Sequence, residues 1–214
     1  MSIDGAAGGG AATAGPRRLR EGSAHGRFQV LHTQHLEYLL AAAESCDLLY
    51  VGITQPRLDL LRAAPGAQAH RHDPLANPLT YGERAELVTE CLVAAGVDRA
   101  AFAVRPFPIE RPELLTRHIP LSATAYTTVC DEWNLHKIEL LRGLGYTVRV
   151  LFTRDAGRLA GSTVRRLMAE GAPEWTSLVP AASRDWLLRH DIPARLRAAA
   201  GRGGSGPLPG QGAT

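Results

Sequence analysis

The stretch HGRFQVLHTQH, His25 to His35, runs into LEYLLAAAESC and then DLLYVGIT, and its reading decides the fold. It is a short turn that delivers Arg27, His32 and His35 to the start of an amphipathic helix, predicted over residues 33–45. The first N–H groups of a helix have no intrahelical acceptor and its dipole is positive at that end, so a phosphate is favoured there. His32 and His35 are three residues apart, which sets them on neighbouring faces of the first turn. Phosphate ligation by an imidazole pair is the expectation, against the plainer reading of a surface pair on a helix. No third ligand lies at sensible spacing, so no metal site is expected from these side chains.

Working outward, strand and helix signals alternate. DLLYVGIT carries a buried-strand signal at 48–53, and a polar, Pro-containing loop at 55–80 is long enough to suggest a lid. A helix follows at 81–95, a strand at 102–107, and a Pro-broken loop, PFPIERPELLTRHIP. A strand at 126–130 opens at Asp131, a good N-cap, into a helix ending near 143–145. A β-rich run at 146–152, the loop TRDAGRLAG, a helix at 162–170 and a last helix at 181–189 complete the series. Such alternation predicts an α/β fold with a doubly wound, Rossmann-like parallel sheet, and ligands on these sheets sit at the carboxyl ends of strands.

The 214 residues suffice for one domain with a real core, expected over 23–198 between Gly/Ala-rich, disordered tails at 1–22 and 199–214. With 24 basic and 21 acidic residues and no charge runs, the chain has neither a nucleic-acid stripe nor a membrane-binding face. Lys137 is the only lysine. Cys46, Cys91 and Cys130 are odd in number and widely spaced, which argues against a disulfide framework or zinc cluster. No run approaches the length of a membrane span and the N-terminus lacks a signal core, so a cytoplasmic protein is expected. The sequence is compatible with a homo-oligomer.

Four segments together resemble one family. GRFQ followed by HTQH resembles the GRFQPxHxGH signature of the HxGH nucleotidyltransferases, and NPLTYGER at 77–84 is similar to the NPFTxxER segment of their nicotinamide-nucleotide adenylyltransferase branch. LAGSTVR at 159–165 resembles the second signature, ISGTxIR, and EWTSLVP at 174–180 resembles the W-x-x-LVP that follows it. The match runs in order from about residue 24 to 190.

The resemblance implies transfer of a nucleotidyl group from an NTP to a phosphate-bearing acceptor, with Mg2+ bound mostly through substrate oxygens. It implies His32, His35 and Arg165 as catalytic residues, and Gly26, Arg27, Phe28, Gln29, Gly161, Ser162 and Thr163 as the nucleotide cradle. Asn77, Arg84, Arg105, Trp133 and Lys137 are the candidates for the acceptor side, with Arg111 a further possible clamp. The primary expectation is ATP with nicotinamide or nicotinate mononucleotide. Relatives of this build in GC-rich bacteria include cytidylyltransferases that activate phosphonates, so CTP with a small phosphonate or phosphate is the alternative. A non-catalytic nucleotide binder is the rival from another class.

The sequence departs from the pattern in four places. Gln34 stands for the glycine of HxGH and Val30 for the proline after GRFQ. Ala160 and Ser162 replace the serine and threonine of the second signature, and Gly22-Ser23-Ala24-His25 stands where a bulky apolar strand is usual. Gln34 places a long side chain where the family's glycine lets the backbone approach ATP, which reads as altered specificity or lost activity. Several candidates carry a second reading: Asn77 and Arg84 as loop pins, Trp133 as core, Lys137 as a surface lysine, Arg166 as a solvated helix face. His70, His72 and Asp73 read as loop polarity.

Overall fold

A computed structural model describes residues 18–56, 75–130, 132–154 and 157–203. The expected Asp131 cap, residues His70, His72 and Asp73, most of the suggested 55–80 lid and most of both expected tails lie outside these residues. The elements are β1 (Leu19–Gly26), α1 (Thr33–Glu44), β2 (Cys46–Thr54), α2 (Tyr81–Ala94), β3 (Phe102–Phe107), β4 (Thr124–Val129), α3 (Glu132–Gly143), β5 (Val148–Thr153), α4 (Gly161–Glu170), α5 (Ala181–Arg189) and α6 (Ile192–Gly203).

The five strands form one parallel sheet in the order β3-β2-β1-β4-β5. This is the α/β architecture expected, with strand order reversing between β1 and β4, where open sheets of this kind form their ligand crevice. α2 begins at a capping box: Thr80 accepts the Glu83 N–H while the Glu83 carboxylate accepts the Thr80 N–H. One apolar layer joins β1 and β2 to α1, α2 and the C-terminal helices around Leu39, Leu87, Leu92, Trp186 and Leu187. A smaller layer holds Phe107, Leu115, Ile119, Leu141 and Tyr146.

Several strand bounds shift by one or two residues, and the two ends of the domain differ most from expectation. Residues 19–22, assigned to the N-terminal tail, are the first half of β1, the central strand. β1 has little bulk of its own because its neighbours supply it. A Cβ on Gly22 would lie 2.5 Å from the Tyr126 ring and 2.8 Å from the Cys46 sulfur, and one on Gly26 would lie 2.9 Å from the Phe28 ring. At the other end, α6 continues to Gly203, past the expected tail boundary at 199. Its buried Ile192 and Leu196 join the main apolar layer.

Candidate active site

His32 is the N-cap of α1, in extended backbone, and its Nδ1 accepts the His35 N–H at 3.3 Å. That contact leaves Nε2 as the protonated nitrogen of the His32 ring. The two imidazoles stack with centroids 3.6 Å apart. Burial, followed by the charges of Arg158 and Arg165, lowers the His32 pKa to about 4. Burial, followed by His32, also holds His35 well below its ordinary value, a backbone hydrogen bond to Val30 opposing. Both rings are therefore neutral near pH 7 and act as N–H donors rather than as fixed cations. The Thr33 N–H, at the helix start, is bonded to Leu178 O at 3.0 Å, so the SLVP segment holds α1 in place.

The turn before α1 is built on a positive φ of 48° at Phe28, a conformation that costs on the order of 1 kcal/mol for a bulky residue. It buries the Phe28 ring edge-on beneath His35, centroids 5.2 Å apart. The Gln29 amide exchanges two hydrogen bonds with Leu79, each 2.9 Å, so this side chain ties the turn to the segment before α2. Arg84 is fully buried and donates to Arg27 O at 3.0 Å, Thr54 O at 2.8 Å and Gln55 O at 2.8 Å. Burial, then the charge of Arg27, pushes its pKa down to about 10. Of the two readings for Arg84, the geometry is that of the loop pin: its guanidinium fastens the carboxyl ends of β1 and β2.

α4 starts at Gly161 with Ala160 as N-cap and no side-chain cap, which leaves that helix end suited to an anion. Gly161 closes on the first signature: a Cβ there would lie 3.8 Å from Gln29 O and 4.0 Å from the His32 ring. Arg165 is 7% exposed, with Nε donating to Leu75 O at 2.7 Å and Nη1 to Gln29 O. It is thus an anchor of the turn as well as a cavity residue. Gln34 also lines the cavity, its amide donating to Gly157 O at 2.8 Å and accepting the Leu159 N–H at 2.9 Å.

The two signatures meet at one cavity of about 310 Å³ at the carboxyl ends of β1 and β4. Gly26, Arg27, Phe28, Gln29, His32, His35, Gly161, Ser162 and Arg165 all line it, whereas Thr163 does not. Arg154, Arg158 and Lys137 add positive charge. A second cavity of about 670 Å³ adjoins it, lined by Thr54, Gln55, Ile109, Glu110 and Trp133 among others. His25, Gly26, Arg27, Lys137, Ser162 and Arg165 line both.

Among the expected acceptor residues, Lys137 is at this junction and Trp133 lines the larger cavity only. Trp133 is 53% exposed, so the reading of it as core is overturned. Arg105 lines a separate groove with Glu86 and Arg99, and Asn77 lines another with Arg195 and Arg202 of α6. Arg111 pairs with Glu113 at 3.2 Å. None of these three lines either cavity. Arg154, Arg158 and His25 line the cavity as well, beyond the candidates that the sequence offers. Arg158 had a signal, being the last charge before the second signature, whereas His25 had none beyond a polar residue in an apolar setting.

No family model matches the chain. It is 40% identical over 177 residues to the phosphonoformate cytidylyltransferase of Streptomyces viridochromogenes, covering 83% of this chain and 95% of that protein. It is 31% identical over 176 residues to the nicotinamide-nucleotide adenylyltransferase of Halobacterium salinarum, covering 80% and 88%. Solved structures share the fold at low identity. A bifunctional NMN adenylyltransferase/ADP ribose pyrophosphatase from Francisella tularensis matches with TM-score 0.50 and 12% identity, over 89% of this chain and 58% of that one. Thermotoga maritima TmcAL matches with TM-score 0.54 and 12% identity, over 83% and 57%. No helix among the described residues is long and apolar enough to cross a membrane. With both signatures on one cavity and these relatives along most of its length, the chain belongs to the HxGH nucleotidyltransferases, in the group that holds both cytidylyl- and adenylyltransferases.

Proposed function

We propose that the protein transfers a cytidylyl group from CTP to a small phosphonate or phosphate acceptor. An acceptor oxygen attacks the α-phosphorus, the bond from that phosphorus to the β-phosphate oxygen breaks, and pyrophosphate leaves. The protein supplies position and charge stabilisation and no covalent nucleophile. The observation that carries this reading is the opening of α1 and α4 onto one cavity ringed by Arg27, Lys137, Arg154, Arg158 and Arg165. The His32 and His35 N–H groups would face the α- and β-phosphates, and the α4 start at Gly161 and Ser162 the β,γ end, with Arg158 and Arg165 on the leaving pyrophosphate. Cytosine and a small acceptor are favoured by the 40% identity to a protein named for phosphonoformate. No group of three His, Cys, Asp or Glu side chains that could hold a metal comes together among the described residues. Mg2+ would be held mainly by substrate oxygens, where it would neutralise phosphate charge.

A second reading is adenylyl transfer to nicotinamide mononucleotide, supported by the 31% identical relatives and by the exposed Trp133 ring on the larger cavity. A non-catalytic NTP binder is motivated only by Gln34 and Ala160. A cytoplasmic location and a homo-oligomer belong to the same proposal. Measuring pyrophosphate release with each NTP and each acceptor decides. Turnover with CTP and a phosphonate is expected; turnover only with ATP and the pyridine mononucleotide would move the assignment to the second reading. Calorimetric NTP binding without turnover under any acceptor would leave the binder, whereas loss of a wild-type activity in His35→Ala would exclude it.

A further inference from the structure

His25, near the end of β1, is 5% exposed, and neither ring nitrogen has a hydrogen-bond partner among the described residues. Burying both nitrogens of an imidazole unpaired is unfavourable and uncommon. Nor is the ring a loose one. It lies flat on the Phe107 ring, centroids 4.3 Å apart and planes 5° from parallel. Its backbone N–H is bonded to Tyr38 Oη at 3.2 Å, and that hydroxyl donates to Tyr126 O at 2.7 Å. Burial, then the charge of Lys137, keeps it neutral, with one N–H and one lone pair to offer.

The location gives this imidazole a meaning. His25 and Lys137 both line the phosphate cavity and the larger adjoining one, so they stand where an acceptor would meet the α-phosphorus. An acceptor of the class in the proposed function carries, beside its attacking oxygen, other anionic oxygens that need a partner. We propose that His25 is a specificity-determining residue that donates its ring N–H to a second acidic group, a carboxylate next to the phosphonate, with Lys137 as the counter-charge. A rigid neutral donor suits this task, because it recognises a carboxylate without adding a mobile cation beside the triphosphate. This inference rests on the cytidylyl-transfer reading.

The test compares wild type, His25→Leu and His25→Gln with CTP and either phosphonoformate or methylphosphonate, which lacks the carboxylate. His25→Leu should lower kcat/KM for phosphonoformate about 10- to 100-fold, the range of a hydrogen bond to a charged group. The loss with methylphosphonate should be clearly smaller than the loss with phosphonoformate, and His25→Gln should recover part of the difference. A melting temperature at or above wild type is expected for His25→Leu, since it removes an unpaired buried group. Equal losses with both acceptors, or none, would overturn the assignment. A readout independent of turnover is the His25 imidazole NMR signal, titrated with phosphonoformate in the presence of α,β-methylene CTP. A shift in a protein without turnover would leave the contact standing and defeat the transferase reading. Turnover without a shift would do the reverse.

Discussion

The Gln34 side-chain oxygen accepts the Leu159 backbone N–H at 2.9 Å, across 125 residues of chain, while its Nε2 donates to Gly157 O at 2.8 Å. The glycine position of the first signature is thereby tied to the loop that opens the second. The long side chain lines the cavity with its amide bonded to backbone on either side of Arg158. Gln34→Ala should leave the helix intact and loosen the loop. Two hydrogen bonds of about 1 kcal/mol each correspond to a rise in NTP KM of roughly 10- to 30-fold, with kcat less affected. Steady-state kinetics would test this, and an unchanged KM would mean that the loop holds itself.

Arg165 has two duties, and its variants should separate them. Arg165→Ala is expected to lower kcat by about 10²–10³, as loss of one charge-stabilising donor does. It should also lower stability by about 1–3 kcal/mol, because the carbonyls of Gln29 and Leu75 lose their partner. Arg165→Lys should recover part of the rate and little of the stability. A change in kcat under threefold for the alanine variant would reduce Arg165 to an anchor.

Arg84 should behave as structure alone. A lysine cannot fork across the carbonyls of Arg27, Thr54 and Gln55, so Arg84→Lys should cost at least about 2 kcal/mol. Urea unfolding would show it as a lower midpoint at unchanged slope. At a temperature where the variant is folded, acceptor KM should stay within about twofold of wild type, since no contact to the acceptor is lost. A large rise in acceptor KM would return Arg84 to the binding site.

Acid should destabilise the fold through its buried histidines. His32 is protonated near 6.5 when unfolded but only near about 4 when folded. The unfolded chain therefore binds more protons between these values, and stability falls as pH drops through that window. His25 and His35 shift in the same direction. His32→Asn keeps an N-cap acceptor for the His35 N–H without titrating, so its unfolding free energy between pH 7 and about 4 should follow a shallower slope than wild type, by up to about 1.4 kcal/mol per pH unit. Parallel curves would place the titration elsewhere.

The elements most legible in the sequence carried their own signals. β3 and α5 fall where the pattern puts them, and α2 starts at its Thr80 and Glu83 box. The first half of β1 carried no signal of its own, because the strand's covering comes from Tyr126 and Phe28, residues distant along the chain or beyond the strand's end. α6 was hidden by an Ala/Arg/Gly composition with few apolar residues, Ile192 and Leu196 joining it to the main apolar layer. For the site, motif spacing located the two signatures. Composition could not separate an arginine that fastens carbonyls, Arg84, from one that faces the cavity, Arg158. That distinction lies in long-range partners. Gln34 and His25 depart from the family pattern, and only the fold gives their side chains a setting.

Lys137 stands between the two cavities in a chain whose other basic side chains are all guanidinium groups. Apart from the α-amino group, amine-directed chemistry has a single target here. Reductive methylation with isotope-labelled formaldehyde would thus place one side-chain reporter at the meeting point of donor and acceptor, with no mutagenesis and only the α-amino signal beside it.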